Sequence, residues 1–203
     1  MMLKLTGGVF KGRMLRTAEA KGCRPATGRV RESLFSMLAS MGVDWPCCRV
    51  LDLFAGSGSV GFEAASRGAA EVVFVEKNPR LAALLRDNAA ALGMGRDQFR
   101  VVVADVLAFL AKKQPPAPYQ VVFADPPYGL DLLPPALARM TANGYVAPQG
   151  VAVAEIEAGL DTSPLASLPG LSCLTDRLFG QTRIMIWQIP TDAWQSTPEP
   201  SIP

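Results

Sequence analysis

From residue 49 onward, short apolar runs alternate with stretches whose apolar residues recur every three or four positions. The runs Arg49–Phe54, Val72–Glu76, Arg100–Asp105, Gln120–Asp125 and Val151–Ile156 predict five strands. Between them, Gly61–Arg67, Pro79–Leu92, Val106–Lys113 and Leu130–Ala142 predict helices. Pro79 suits a first helical turn, where the amide it lacks would have no partner anyway. Leu174–Leu178 and Ile184–Ile189 predict a closing pair of strands around Gly180. Upstream, Val30, Leu34, Phe35, Met37, Leu38 and Met41 recur at helical spacing, with Thr27 as N-cap and Gly42 as terminator. That spacing places Arg29, Arg31 and Ser33 off the apolar stripe. Residues 1–26 form a basic N-terminal arm whose pieces Leu3–Leu5 and Val9–Phe10 suit a hairpin or an extended segment. The working domain then spans 27–190, and the Pro-rich tail 191–203 is expected to be disordered.

Strands alternating with helices predict an α/β domain built on a parallel, doubly wound sheet. Such sheets bind ligands outside the carboxyl ends of their strands. The first four strands end in or beside Asp52, Glu76, Asp105 and Asp125, a run of carboxylates that stability alone does not explain.

Composition narrows the chemistry. A chain of 203 residues, 49% of them apolar, can bury one substantial core. No apolar run is long enough to span a bilayer and no secretory signal opens the chain, so a cytoplasmic protein is expected. There is no histidine, and Cys23, Cys47, Cys48 and Cys173 form no C-x-x-C pair, so no metal is expected. Catalysis must then work through carboxylates, backbone groups and a cofactor. Cys47, although part of a Pro-Cys pair, lies before the first strand, and Cys47 and Cys48 read as packing residues. Net charge is only +2, yet Lys4, Lys11, Arg13, Arg16, Lys21, Arg24, Arg29 and Arg31 crowd the first 31 residues against the single acid Glu19. A basic arm on an otherwise acidic domain suits a polyanionic partner.

The turn Leu51-Asp52-Leu53-Phe54-Ala55-Gly56-Ser57-Gly58-Ser59-Val60-Gly61 contains G-x-G-x-x-G, which by itself also fits a dinucleotide site. Asp52 favours another ligand. An acid just before the glycines would repel a pyrophosphate but hold an ammonium group, and S-adenosylmethionine carries an ammonium and no phosphate. Gly56 and Gly58 can take positive φ and let the ligand approach the backbone. Glu76 is placed to accept from ribose hydroxyls, and Asp105 from an adenine amino group, with the Val106 amide donating to the ring. Asp105 is equally suited to cap the helix that follows. The expected cofactor contacts are Asp52, Phe54, Ala55, Gly56, Ser57, Gly58, Glu76, Lys77, Asp105 and Val106.

Asp125-Pro126-Pro127-Tyr128 is the most specific motif. Two prolines stiffen the loop and remove two donors, leaving acceptors at the Asp125 carboxylate and the Pro126 carbonyl. An exocyclic base amine brings two N–H bonds, and its lone pair is delocalised into the ring. Two acceptors drawing on those hydrogens favour a tetrahedral nitrogen able to attack a methyl sulfonium in line. Tyr128 would stack on a base that is unpaired or flipped out. Asp125, Pro126, Pro127 and Tyr128 are the expected catalytic residues.

With these residues in hand, the chain resembles the bacterial 16S ribosomal RNA guanine-N2 methyltransferases of the RsmD family. The likeness starts at Gly7-Gly8-x-x-Lys11-Gly12-Arg13-x-Leu15 and continues through Arg24-Pro25-x-Thr27-x-Arg29-Val30-Arg31-Glu32-x-Leu34-Phe35. It then takes in the glycine turn, Gly61-x-Glu63-Ala64, Ser66-Arg67-Gly68-Ala69 and Asp125–Tyr128. The resemblance implies a Rossmann-like class I fold with a seven-stranded, mostly parallel sheet whose last strand is antiparallel. It implies S-adenosylmethionine as cofactor and, as partner, 16S rRNA in the small subunit or its assembly intermediate, met by a monomer. Lys11, Arg13, Arg24, Arg29 and Arg31 would then lie against RNA. Gly28 departs from the pattern, since relatives often carry an acid there. Four other readings share parts of the motif set: a DNA adenine-N6 methyltransferase, a glutamine-N5 protein methyltransferase, a nicotinamide-dependent oxidoreductase and a non-catalytic RNA-binding assembly protein. The first usually needs an added target-recognition region, the second typically has Asn in place of Asp125, and the third leaves Asp52 and the Pro-Pro loop unexplained.

Overall fold

The computed structural model describes residues 2–17, 28–112, 117–127, 131–166 and 168–190. In chain order the elements are β1 (Met2–Lys4), β2 (Met14–Arg16), α1 (Gly28–Ser40), a 3-10 turn (Trp45–Cys47), β3 (Arg49–Leu53), α2 (Ser59–Ser66), β4 (Glu71–Glu76), α3 (Pro79–Leu92), β5 (Phe99–Val103), α4 (Val106–Leu110), β6 (Tyr119–Ala124), α5 (Leu133–Ala142), β7 (Val146–Glu157), α6 (Ser163–Ala166), β8 (Ser172–Phe179) and β9 (Thr182–Gln188).

Seven strands form one sheet in the order β5-β4-β3-β6-β7-β9-β8. The first five of these pair in parallel, while β9 runs antiparallel to both β7 and β8. This is the Rossmann-like sheet with an antiparallel last strand. Strand order reverses at β3, which has β4 on one side and β6 on the other. The carboxyl ends of β3 and β6 therefore flank the crevice where such sheets take their ligands.

The central strands are apolar on both sides because helices cover both faces. One core joins Val50, Phe74, Phe123, Val153 and Ile186 to Leu34, Phe35 and Leu38 of α1. The other joins Leu51, Leu53, Ala124, Ala154 and Trp187 to Leu137 and Met140 of α5. The arm folds as a hairpin, with Leu3 opposite Leu15, and Leu3, Leu5 and Leu15 belong to the first core. Its turn docks on the end of α2. Val9 and Phe10 donate their amides to the Ser66 carbonyl (2.6 Å) and Oγ (2.9 Å), and Gly8 sits at φ 74°.

Boundaries moved where local signals misled. β7 begins at Val146, five residues ahead of the predicted strand, because Pro148-Gln149-Gly150, which reads as a turn, is absorbed into the strand with Gln149 at φ 59°. α5 starts at Leu133, as Pro134 and Pro135 fit only its first turn. The short α6 was not predicted; Asp161 starts it by accepting from Ser163 N (2.9 Å) and Oγ (2.8 Å). Cys48 packs into the core as expected, but Cys47 is exposed on the 3-10 turn. The Thr27 cap and the tail 191–203 lie outside the described residues.

Candidate active site

Strand pleat sets the site's geometry. Asp52 pairs with Phe123 and Phe74, and Ala124 with Ala154, so alternation turns Asp52, Glu76, Asp125 and Glu155 toward the α1 face at the carboxyl edge. Asp52 is only 2% exposed and accepts from Gly61 N at 3.1 Å. Burial pushes its carboxyl well above the usual range; the Gly61 amide opposes this, and the charges of Asp125 and Glu76 add to the rise. Asp125 is likewise held well above its ordinary value, first by burial and then by the charge of Glu155. Burial lifts Glu155 to about 7, with the positive charge of Arg31 acting against it. Four carboxylates thus share one sheet edge, an arrangement that suits a cation.

The glycine turn is built to bring backbone close to that edge. Phe54, Gly56 and Gly58 all take positive φ (58°, 54° and 76°), and Gly58 leads into α2. Gly56 N donates to Glu76 Oε2 (2.8 Å) and Asn78 N to Glu76 Oε1 (2.7 Å), so Glu76 ties the turn to the next strand. A carboxylate has about four acceptor positions, which leaves Glu76 two for a ligand. A Cβ on Gly56 would meet only the Phe54 carbonyl, at 3.8 Å, so the space before the turn is open. Gly61 has no such freedom: a Cβ there would lie 2.3 Å from Phe74 and 2.8 Å from Asp52 Oδ2. Asp105 does cap α4, accepting from Ala108 N at 3.0 Å, and Val106 is buried behind it. Lys77 is exposed beside Glu76. A sulfonium with an ammonium arm and ribose hydroxyls fits this carboxylate-lined edge.

Pro126 and Pro127 follow Asp125 at the tip of β6, and Tyr128 lies outside the described residues. Beside the prolines opens a cleft of about 250 Å³, walled by Leu133, Leu160 and Leu165 and also bordered by Glu155. Glu155 is the residue that sequence reasoning missed. Nothing in its apolar strand marks it except a lone acid on the buried face one step past the Ala124–Ala154 pair.

Among the basic residues, Lys11, Arg13 and Arg29 are exposed, with Arg13 Nη2 donating to the Ala91 carbonyl (2.8 Å), and Arg24 lies outside the described residues. Arg31 requires a correction. It is 1% exposed, donates Nε to Glu63 Oε2 (3.2 Å) and Nη2 to the Lys4 carbonyl (2.5 Å), and cannot meet a phosphate. The helix stripe is wider than the apolar residues suggested, because Glu63 of α2 neutralises the arginine that faces it.

The family described as conserved hypothetical protein 95 matches residues 3–188. The ribosomal RNA small subunit methyltransferase D of Escherichia coli K12 is 36% identical over 92% of this chain and 89% of its own length. The chain belongs to this family, RsmD. The enzyme of the same name from Haemophilus influenzae is 32% identical over 92% of this chain and 93% of its own. The solved structure of E. coli yhhF matches with a TM-score of 0.79 and 34% identity, covering 94% of this chain and 99% of that one. The hairpin from Leu3 onward and the Arg31–Glu63 pair fall inside the RsmD match.

Among the described residues, no helix is long and apolar enough to cross a membrane.

Proposed function

We propose that this protein transfers a methyl group from S-adenosylmethionine to the exocyclic N2 of a guanine in 16S rRNA, within the small ribosomal subunit or its assembly intermediate. One observation carries the reading: the parallel β3–β6 pairing sets Asp52 of the glycine turn opposite Phe123, two residues before Asp125 and its Pro-Pro loop, and the charge of Asp125 reaches the Asp52 carboxyl. The relatives from Escherichia coli and Haemophilus influenzae, named ribosomal RNA small subunit methyltransferase D, support the substrate class.

In this reading the bound cofactor supplies an electrophilic methyl group on sulfonium. Asp52, Phe54, Ala55, Gly56, Ser57, Gly58, Glu76, Lys77, Asp105 and Val106 hold that cofactor. Asp52 and Glu76 answer its positive charge and hydroxyls, while Asp105 and the Val106 amide face its adenine. Asp125 and the Pro126 carbonyl accept the two hydrogens of the target amine, and Pro127 and Tyr128 fix and stack the base. The amine lone pair, drawn out of the ring by these two acceptors, would face the sulfonium methyl that the cofactor would supply. The nitrogen then sheds one proton toward Asp125, whose raised proton affinity suits the role. Lys11, Arg13, Arg24 and Arg29 meet the RNA backbone, and the protein acts as a cytoplasmic monomer.

The test is tritiated methyl transfer onto small subunits from a strain lacking the corresponding enzyme, followed by nucleoside analysis. N2-methylguanosine is expected; label in N6-methyladenosine overturns the substrate. Asp125→Ala should lower transfer at least 100-fold, as loss of a preorganised polar group does, while RNA binding survives.

A further inference from the structure

Glu155 is 7% exposed at the end of β7, next in register to Asp125 and on the rim of the cleft beside Pro126 and Pro127. Among the described residues no side-chain hydrogen bond holds its carboxylate, while its strand neighbours Ala154 and Ile156 pack into the core behind it. Its counter-charge is Arg31, which is not spent on Glu63 alone: Nη1 is buried without a hydrogen-bond partner, and the guanidinium charge is felt at Glu155. Asp125 immediately precedes the two prolines that border this cleft, and Glu155, one step past the Ala124–Ala154 pair, borders it from the neighbouring strand.

Guanine carries two adjacent donors on one edge, the 2-amino group and N1–H. Adenine carries an amino group beside a bare N1 lone pair. Resting on the guanine-N2 reading above, we infer that Glu155 is the specificity-determining residue: its carboxylate accepts the N1–H of guanine while the neighbouring amine sits at Asp125. An adenine placed the same way turns its N1 lone pair onto the Glu155 carboxylate and leaves that buried acceptor unpaired. Sites built around a substrate N–H reject analogues that lack it far more strongly than apolar pockets reject a change of size. Arg31 favours the ionised form of Glu155 that this recognition uses, as does a cationic cofactor over Asp52.

2-Aminopurine keeps the 2-amino group but has a bare N1 and no 6-oxo group, so the Glu155 variants are needed to single out the N1 hydrogen. Small subunits are reconstituted from rRNA into which an oligonucleotide bearing guanine or 2-aminopurine at the methylated position has been ligated. The parent protein should prefer guanine by about 100-fold in kcat/KM. Glu155→Ala should lose guanine activity by a similar factor and, with no carboxylate left to oppose a bare N1, should raise 2-aminopurine activity relative to the parent. Glu155→Gln, whose amide can turn an N–H toward a bare N1, should raise 2-aminopurine activity above the parent's. A parent that uses both bases equally overturns the inference without recourse to any variant. Variants that bind S-adenosylmethionine normally, by calorimetry, yet slow both substrates equally overturn it too, because a structural role predicts that pattern. If the parent labels guanine N2 without preference over 2-aminopurine, only this inference falls. If guanine N2 takes no label, the reaction itself has been misassigned, and the inference falls with it.

Discussion

Glu63 is the side chain whose removal should cost this fold most. It is fully buried in α2, yet it accepts from Thr6 N (2.9 Å), Thr6 Oγ1 (2.7 Å), Arg31 Nε (3.2 Å) and Arg67 Nη2 (3.1 Å). Burial opposes its charge, but the Thr6 amide and hydroxyl and the Arg31 guanidinium outweigh it, and the carboxyl sits below its ordinary range. Glu63→Ala leaves Arg31 buried with an unanswered charge and Thr6 with an orphaned amide. Breaking a buried pair from one side costs about 3–5 kcal/mol. For a domain of this size that is a fall of roughly 10 °C in Tm. Urea unfolding followed by fluorescence of the buried Trp45 and Trp187 measures it. Arg31→Met with Glu63→Gln removes both charges and keeps an acceptor for Thr6, so the double variant should cost only about 1–2 kcal/mol. Because the native pKa is lowered, the Glu63 contribution is present above the ordinary value of 4.5 and fades as pH falls through the native one, so the gap to Glu63→Ala narrows in acid. A single variant within about 1 kcal/mol of the parent, or a double variant as unstable as the single, would refute the charge-burial reasoning.

Three further outcomes follow from the geometry. Gly61→Ala drives a methyl against Phe74 and Asp52 Oδ2, and should weaken S-adenosylmethionine binding at least 10-fold by calorimetry, the loss of about 1.4 kcal/mol or more; unchanged affinity would remove Asp52 from the cofactor site. Gly8→Ala places a Cβ 1.7 Å from the Ser66 carbonyl at φ 74°, so the hairpin should undock and limited proteolysis should cut within the first 27 residues well before it cuts the parent. Asp125 and Glu155 titrate as a pair whose proton affinity is raised, with Asp52 and Arg31 facing them, and each accepts an N–H most strongly when ionised. Single-turnover transfer should therefore rise with pH through about 7, the value at Glu155. Glu155→Gln should shift that limb, and a rate flat across neutrality in the parent would show that neither carboxylate must lose a proton.

Periodicity alone located every strand of the main sheet, because buried parallel strands must be apolar and their helices must carry a stripe. Local chemistry was equally legible: the glycines at 56 and 58 open positive φ, and the prolines at 126 and 127 fix φ, whatever surrounds them. The approach of Asp125 to Asp52 was only an expectation from motif order until the β3–β6 pairing set them on one edge. Two residues stayed hidden. Arg31 read as a surface cation and Glu155 drew no reading, since a charge in a single sequence is indistinguishable from a solvated one. Their meaning depends on partners distant in the chain: Glu63 from another helix, Asp125 from the neighbouring strand. Local pattern records which residues turn inward; burial of charge is decided by what packing brings opposite, and no sequence neighbour reports that.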